Sequence, residues 1–93
     1  MATNSWEDAC KSYLTSLRAK LKAAYRAEIE SESSVDRRWL NGFMAAGFHS
    51  GLISLSELKL ECMKAHRNAY GERMTDAQGQ QLERRLTKLC QMN

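Results

Sequence analysis

Between Trp6 and Ile29 the chain repeats apolar residues at steps of three and four without a break: Trp6, Ala9, Cys10, Tyr13, Leu14, Leu17, Leu21, Ala24, Tyr25 and Ile29. That is the one-sided pattern of an amphipathic helix. The 93-residue chain contains no proline that could kink it. Asn4 or Ser5 supplies a cap, and Glu7 and Asp8 fall in the first turn, where carboxylates suit the helix dipole. The spacing predicts a helix over about residues 5–30, roughly 39 Å long. A compact chain of this length has a diameter near ~33 Å. The stripe therefore outruns a simple globule. Either the shorter helices lie along it in two tiers, or a partner, a second copy or another protein, covers the remainder.

The rest of the chain also reads as helices. Ser31–Ser34 interrupt the first one, and Ser33 or Ser34 caps a second over about 35–49, with Asp36 in its first turn. Its apolar residues are Val35, Trp39, Leu40, Phe43, Met44 and Phe48, and both Trp39 and Phe43 are expected in the core. The small residues Gly42, Ala45, Ala46 and Gly47 allow close approach, and Gly51 suits a left-handed stop. Ser54-Leu55-Ser56-Glu57 fits a capping box, flanked by Ile53 and Leu58 as a hydrophobic staple, and opens a third helix over about 55–70 that Gly71 ends. Thr75-Asp76-Ala77-Gln78 is a weaker capping box before a fourth helix, about 76–90, in which Gly79 costs roughly 1 kcal/mol relative to alanine. Five glycines and no proline do not supply the turn signals of a β sandwich. The expected fold is all-α: one domain over 1–93, a small four-helix bundle with a long N-terminal helix, a helical hairpin (35–49 and 55–70) and a C-terminal helix.

Composition limits the function classes. The net charge of +3, from 14 basic and 11 acidic residues, is modest for a domain built to bind nucleic acid. The basic residues are unevenly placed, however. Lys11, Arg18, Lys22 and Arg26 line up on one face of the first helix, and Arg84, Arg85 and Lys88 cluster in the last. Both groups are candidates for contact with phosphate or with an acidic partner. Glu28, Glu30, Glu32 and Asp36 follow the first group as an acidic block. A helix-turn-helix reading of the second and third helices is disfavoured, because Glu57 and Glu61 near the leading end of the recognition helix would repel phosphate.

Cys10, Cys62 and Cys90 are odd in number and widely spaced, which suits reduced thiols in a cytoplasmic protein. Cys62 and His66 share a helical face, but no further ligands have supporting spacing, so no metal and no cofactor are expected. No signal peptide is expected from the residues at 1–8, and no apolar run nears the ~20 residues of a membrane span. With two histidines, no glycine-rich phosphate loop and no nucleophile motif, the chain is not expected to be an enzyme, nor to have room for a small-molecule substrate. Trp6, Tyr70 and Met63 are the candidate protein-interface residues. The expectation is a small module acting by stoichiometric protein binding, an adaptor or inhibitor, of a size that suits a bacterial or phage accessory protein acting on a host complex. The alternative is a basic-faced regulator of DNA or RNA, acting as a dimer.

Overall fold

The fold, from a computed structural model, is described for residues 5–29 and 37–91, and every regular element among them is an α-helix. The four helices are α1 (Ser5–Ile29), α2 (Arg37–His49), α3 (Leu55–Tyr70) and α4 (Asp76–Gln91). The predicted caps at Asn4, Ser33 and Ser34, the break over 31–34 and the acidic residues Glu30, Glu32 and Asp36 lie outside the described residues.

The helix ends follow the local signals. At the end of α2 the Leu52 amide donates to the Gly47 carbonyl and the Gly51 amide to that of Phe48. With Gly51 at φ 77, this is a Schellman motif. Ser54 caps α3: its hydroxyl accepts from the Glu57 amide while the Glu57 carboxylate accepts from the Ser54 amide, each at 3.2 Å. Ile53 and Leu58, on either side of the cap, are both buried in the core. Gly71, at φ 74, ends α3 by donating to the Arg67 carbonyl. The second box closes too, with Thr75 and Gln78 exchanging bonds of 2.9 and 3.2 Å. The Gly79 amide donates to the Thr75 carbonyl, so the first turn of α4 is formed despite its glycine.

Packing sets the neighbours. α1 lies against α2 and α3, and α4 lies against the same two helices. The pairs α1/α4 and α2/α3 make little or no contact and occupy the diagonals of a square. The connection at 50–54 thus joins two helices that take their main partners from α1 and α4. Tyr13 meets Phe43 and Gly47 while Lys20 meets Trp39, so α1 and α2 run antiparallel. Trp6 lies beside Gly51, Arg18 pairs with Glu61, and Tyr25 packs on His66, so α1 and α3 run parallel. Each helix sends one fully buried side chain to the centre: Leu17, Met44, Leu58 and Leu86. Each contributes on the order of 2 kcal/mol by leaving water.

The molecule is elongated, 47 × 25 × 24 Å. α2 and α3 lie side by side against α1 and not in tiers along it, and α4 packs on both from the far corner. The α1 stripe is buried in the middle, at Tyr13, Leu17 and Leu21, and open at both ends: Trp6 is 53% exposed and Ile29 46%.

Candidate binding groove

Arg18, Lys22 and Arg26 repeat every four residues, which sets them about 6 Å apart along one edge of α1. α3 runs beside that edge and offers Glu61, Lys64 and Asn68. Between the two helices lies a groove of about 710 Å³. Ile29, Ala65 and Ala69 complete its surface, more of which is apolar than polar.

Glu61 sits in the floor of this groove and is only 7% exposed. A buried carboxylate without compensation would be strongly disfavoured. Arg18 supplies the compensation, donating from Nε to Oε1 at 2.8 Å and from its terminal nitrogen to Oε2 at 3.3 Å. Lys64 stands 3.8 Å from Oε2. The Arg18 hydrogen bonds hold the Glu61 carboxyl below the usual carboxylate range, against the opposing effect of its burial. The guanidinium, itself half-exposed, is pushed up by the same bonds.

The candidate basic face therefore divides. Arg18 is engaged by Glu61, and Lys11 stands 3.7 Å from Glu7 on the exposed surface. Lys20 lies over the rings of Trp39 and Phe43, 4.5 and 4.8 Å from their centroids. Lys22 and Arg26 have no anionic partner among the described residues, and both line the groove. Arg84, Arg85 and Lys88 are exposed on α4, and none of the three lines the groove. The two basic clusters singled out in the sequence are not brought together.

The aromatic expectations need correcting. Trp39 is not a core residue: it is 58% exposed, stacked outside Phe43, which in turn stacks on buried Tyr13 at 4.6 Å. The buried series of α2 is Leu40, Met44 and Gly47, and Trp39 stands at its edge. Met63 is half-buried against the core, so only part of it remains for contact. Trp6 and Tyr70 are exposed as expected, Tyr70 stacking on His66 at 4.6 Å. Ile29, at the end of the α1 stripe, and Leu60 on α3 are exposed apolar residues. Gly42, expected to admit a close neighbour, faces open space.

Two of the three thiols are buried in the core. Burial pushes Cys62 up to about 11 and raises Cys90, while Cys10 is half-buried. Among the described residues no group of three or more His, Cys, Asp or Glu side chains is placed to hold a metal ion. No described helix is long and apolar enough to cross a membrane. A cleft of about 440 Å³ lies between all four helices, lined by residues such as Leu21, Met44, His66 and Arg85. Comparison with protein-family models, with curated proteins and with solved structures finds no match to this chain.

Proposed function

We propose that the chain works by stoichiometric binding to another protein, as an adaptor or inhibitor, and that the α1–α3 groove is its docking surface. The observation that carries this reading is the pairing of two cations without an anionic partner among the described residues, Lys22 and Arg26, with a mainly apolar groove edged by exposed Ile29. Cations beside apolar surface suit a protein partner, which can pair the charges and bury the apolar area. A phosphate backbone would use the charges and leave the apolar surface without a partner. The nucleic-acid reading is further weakened by the diversion of Arg18, Lys11 and Lys20 into internal contacts.

The test compares two charge-reversed proteins, Lys22→Glu/Arg26→Glu in the groove and Arg84→Glu/Lys88→Glu on α4. Each is first checked for an unchanged helical melt. Captured partners are then quantified from cells that naturally hold the protein. Loss of a partner by the groove variant alone supports the reading; equal capture by wild type and groove variant rejects it.

A further inference from the structure

The groove has a length, a charge spacing and a direction that together restrict its occupant. From Arg18 to Ile29 it runs along eleven residue steps of α1, about 17 Å or three helical turns. The cations Lys22 and Arg26 on its α1 wall are four residues apart, and Lys64 lines it from α3. Both walls are helices whose backbone groups are bonded internally, so an extended segment lying between them would find no backbone partners. A helix brings its own backbone bonds and needs only side-chain complementarity.

The direction follows from α1 and α3 running parallel. Their carbonyl ends lie together, at the Arg26 and Ile29 end of the groove, and carry summed negative partial charge. The positive N-terminus of a third helix is favoured there. Carboxylates are also best placed near a helix N-terminus, which brings them to Arg26 and Lys22.

We infer that the groove takes one acidic amphipathic helix of a partner protein, about three turns long, antiparallel to α1 and α3, with its carboxylate at i on Arg26 and that at i+4 on Lys22, and an apolar edge on Ile29, Ala65 and Ala69. This rests on the protein-binding reading above and adds the partner's conformation, charge pattern and orientation.

The test uses helix-forming peptides of about three turns. One has glutamates at i and i+4 beside a leucine edge. A second has the same composition with the glutamates at i and i+2, so that they leave the shared face. A third replaces the glutamates by lysine. Binding is read by fluorescence anisotropy, and orientation by a nitroxide at either peptide end, observed through line broadening at Ile29 and Arg18. The i, i+4 peptide is expected to bind the wild-type protein at least about tenfold more tightly than the redistributed one, and about tenfold more tightly than it binds Lys22→Glu/Arg26→Glu. The lysine peptide is expected not to bind. The N-terminal nitroxide should broaden Ile29 and the C-terminal one Arg18. Equal binding of the two acidic peptides, or the reverse broadening pattern, overturns the inference and leaves an acidic protein partner standing. Binding of a DNA duplex but of neither acidic peptide, lost in the same double variant, overturns the protein-binding reading itself. No binding by any probe overturns both.

Discussion

Gly47 and Gly79 are both buried glycines inside helices, yet the same substitution should act on them with opposite sign. A Cβ at Gly47 would overlap the ring of Tyr13, which is itself held by its hydroxyl donating to the Phe43 carbonyl at 2.9 Å. A Cβ at Gly79, or at exposed Gly42, meets nothing. Gly47→Ala should therefore destabilise the fold by about 1–3 kcal/mol, as overpacking does. Gly79→Ala and Gly42→Ala should each stabilise it by about 0.5–1 kcal/mol. Urea denaturation midpoints of the three variants give the comparison. The sequence flagged the helical cost of Gly79 but marked Gly42 and Gly47 alike as small, because a glycine's neighbour across a helix interface is not written near it in the chain. Trp39 shows the same limit in reverse: its ring belongs to an apolar series, but the buried face of α2 is centred on Leu40 and Met44. Tyr13 also sets an alkaline limit. Burial, with the Cys90 and Cys62 thiolates adding repulsion, pushes its phenol from 10.0 up to about 12. Its stabilising effect is complete below pH 10 and is lost as the pH rises through 12. Cys62, raised from 9.0 to about 11, adds a loss of the same sign that begins above pH 9. Denaturant stability should hold from neutral pH to about 9 and then fall, and a flat profile beyond that would show these groups to be less buried than described.

At the scale of elements, the chain's punctuation was legible because caps are local. Ser54 with Glu57, Thr75 with Gln78, Gly51 and Gly71 each announce a helix end within a few residues, and each makes the bonds its sequence calls for. Ser54→Ala should lower stability by about 1 kcal/mol, and Thr75→Ala by a comparable amount, by calorimetry or denaturant titration. The link between α1 and α3 was not legible. Arg18 reads as one more cation on a basic face, and only the fold reveals that 43 residues later Glu61 is buried beneath it. The consequence is testable in acid. With its carboxyl held low, Glu61 contributes stability that is present above the ordinary value of 4.5 and is lost as the pH falls through its folded value. Arg18→Ala removes the main cause of that depression while the carboxylate stays buried. Its acid unfolding midpoint should shift to higher pH, and its thermal midpoint should fall further than that of Lys22→Ala, which breaks no ion pair. Equal midpoints for the two variants would mean that the Arg18–Glu61 pair contributes nothing in solution.

The arrangement of the whole molecule decides how its charges can act together. Periodicity foretold four helices, while the length of α1 left open whether tiered helices or a partner would cover its stripe; Trp6 and Ile29 at its two ends are exposed. Neither could foretell that α1 and α4 would take opposite corners of the square, since neighbour order depends on the shapes of buried faces across the whole chain. That order separates Arg84, Arg85 and Lys88 from the groove. A duplex seated on the groove could engage Arg18, Lys22, Arg26 and Lys64, and the first of these already serves Glu61. Counterion release then limits the slope of log affinity against log salt to about −4, and nearer −3 if Arg18 stays with its carboxylate. A dedicated duplex-binding protein making twice as many phosphate contacts would show a slope about twice as steep. Titration of a duplex by anisotropy at stepped salt concentrations separates the cases. A shallow slope, abolished by Lys22→Glu/Arg26→Glu and untouched by Arg84→Glu/Lys88→Glu, is expected if the groove cations act alone. A slope near twice that value, reduced by both double variants, would mean that the two basic surfaces work on one ligand. The square of helices would then have to rearrange, or two copies would have to combine their faces, for that to happen.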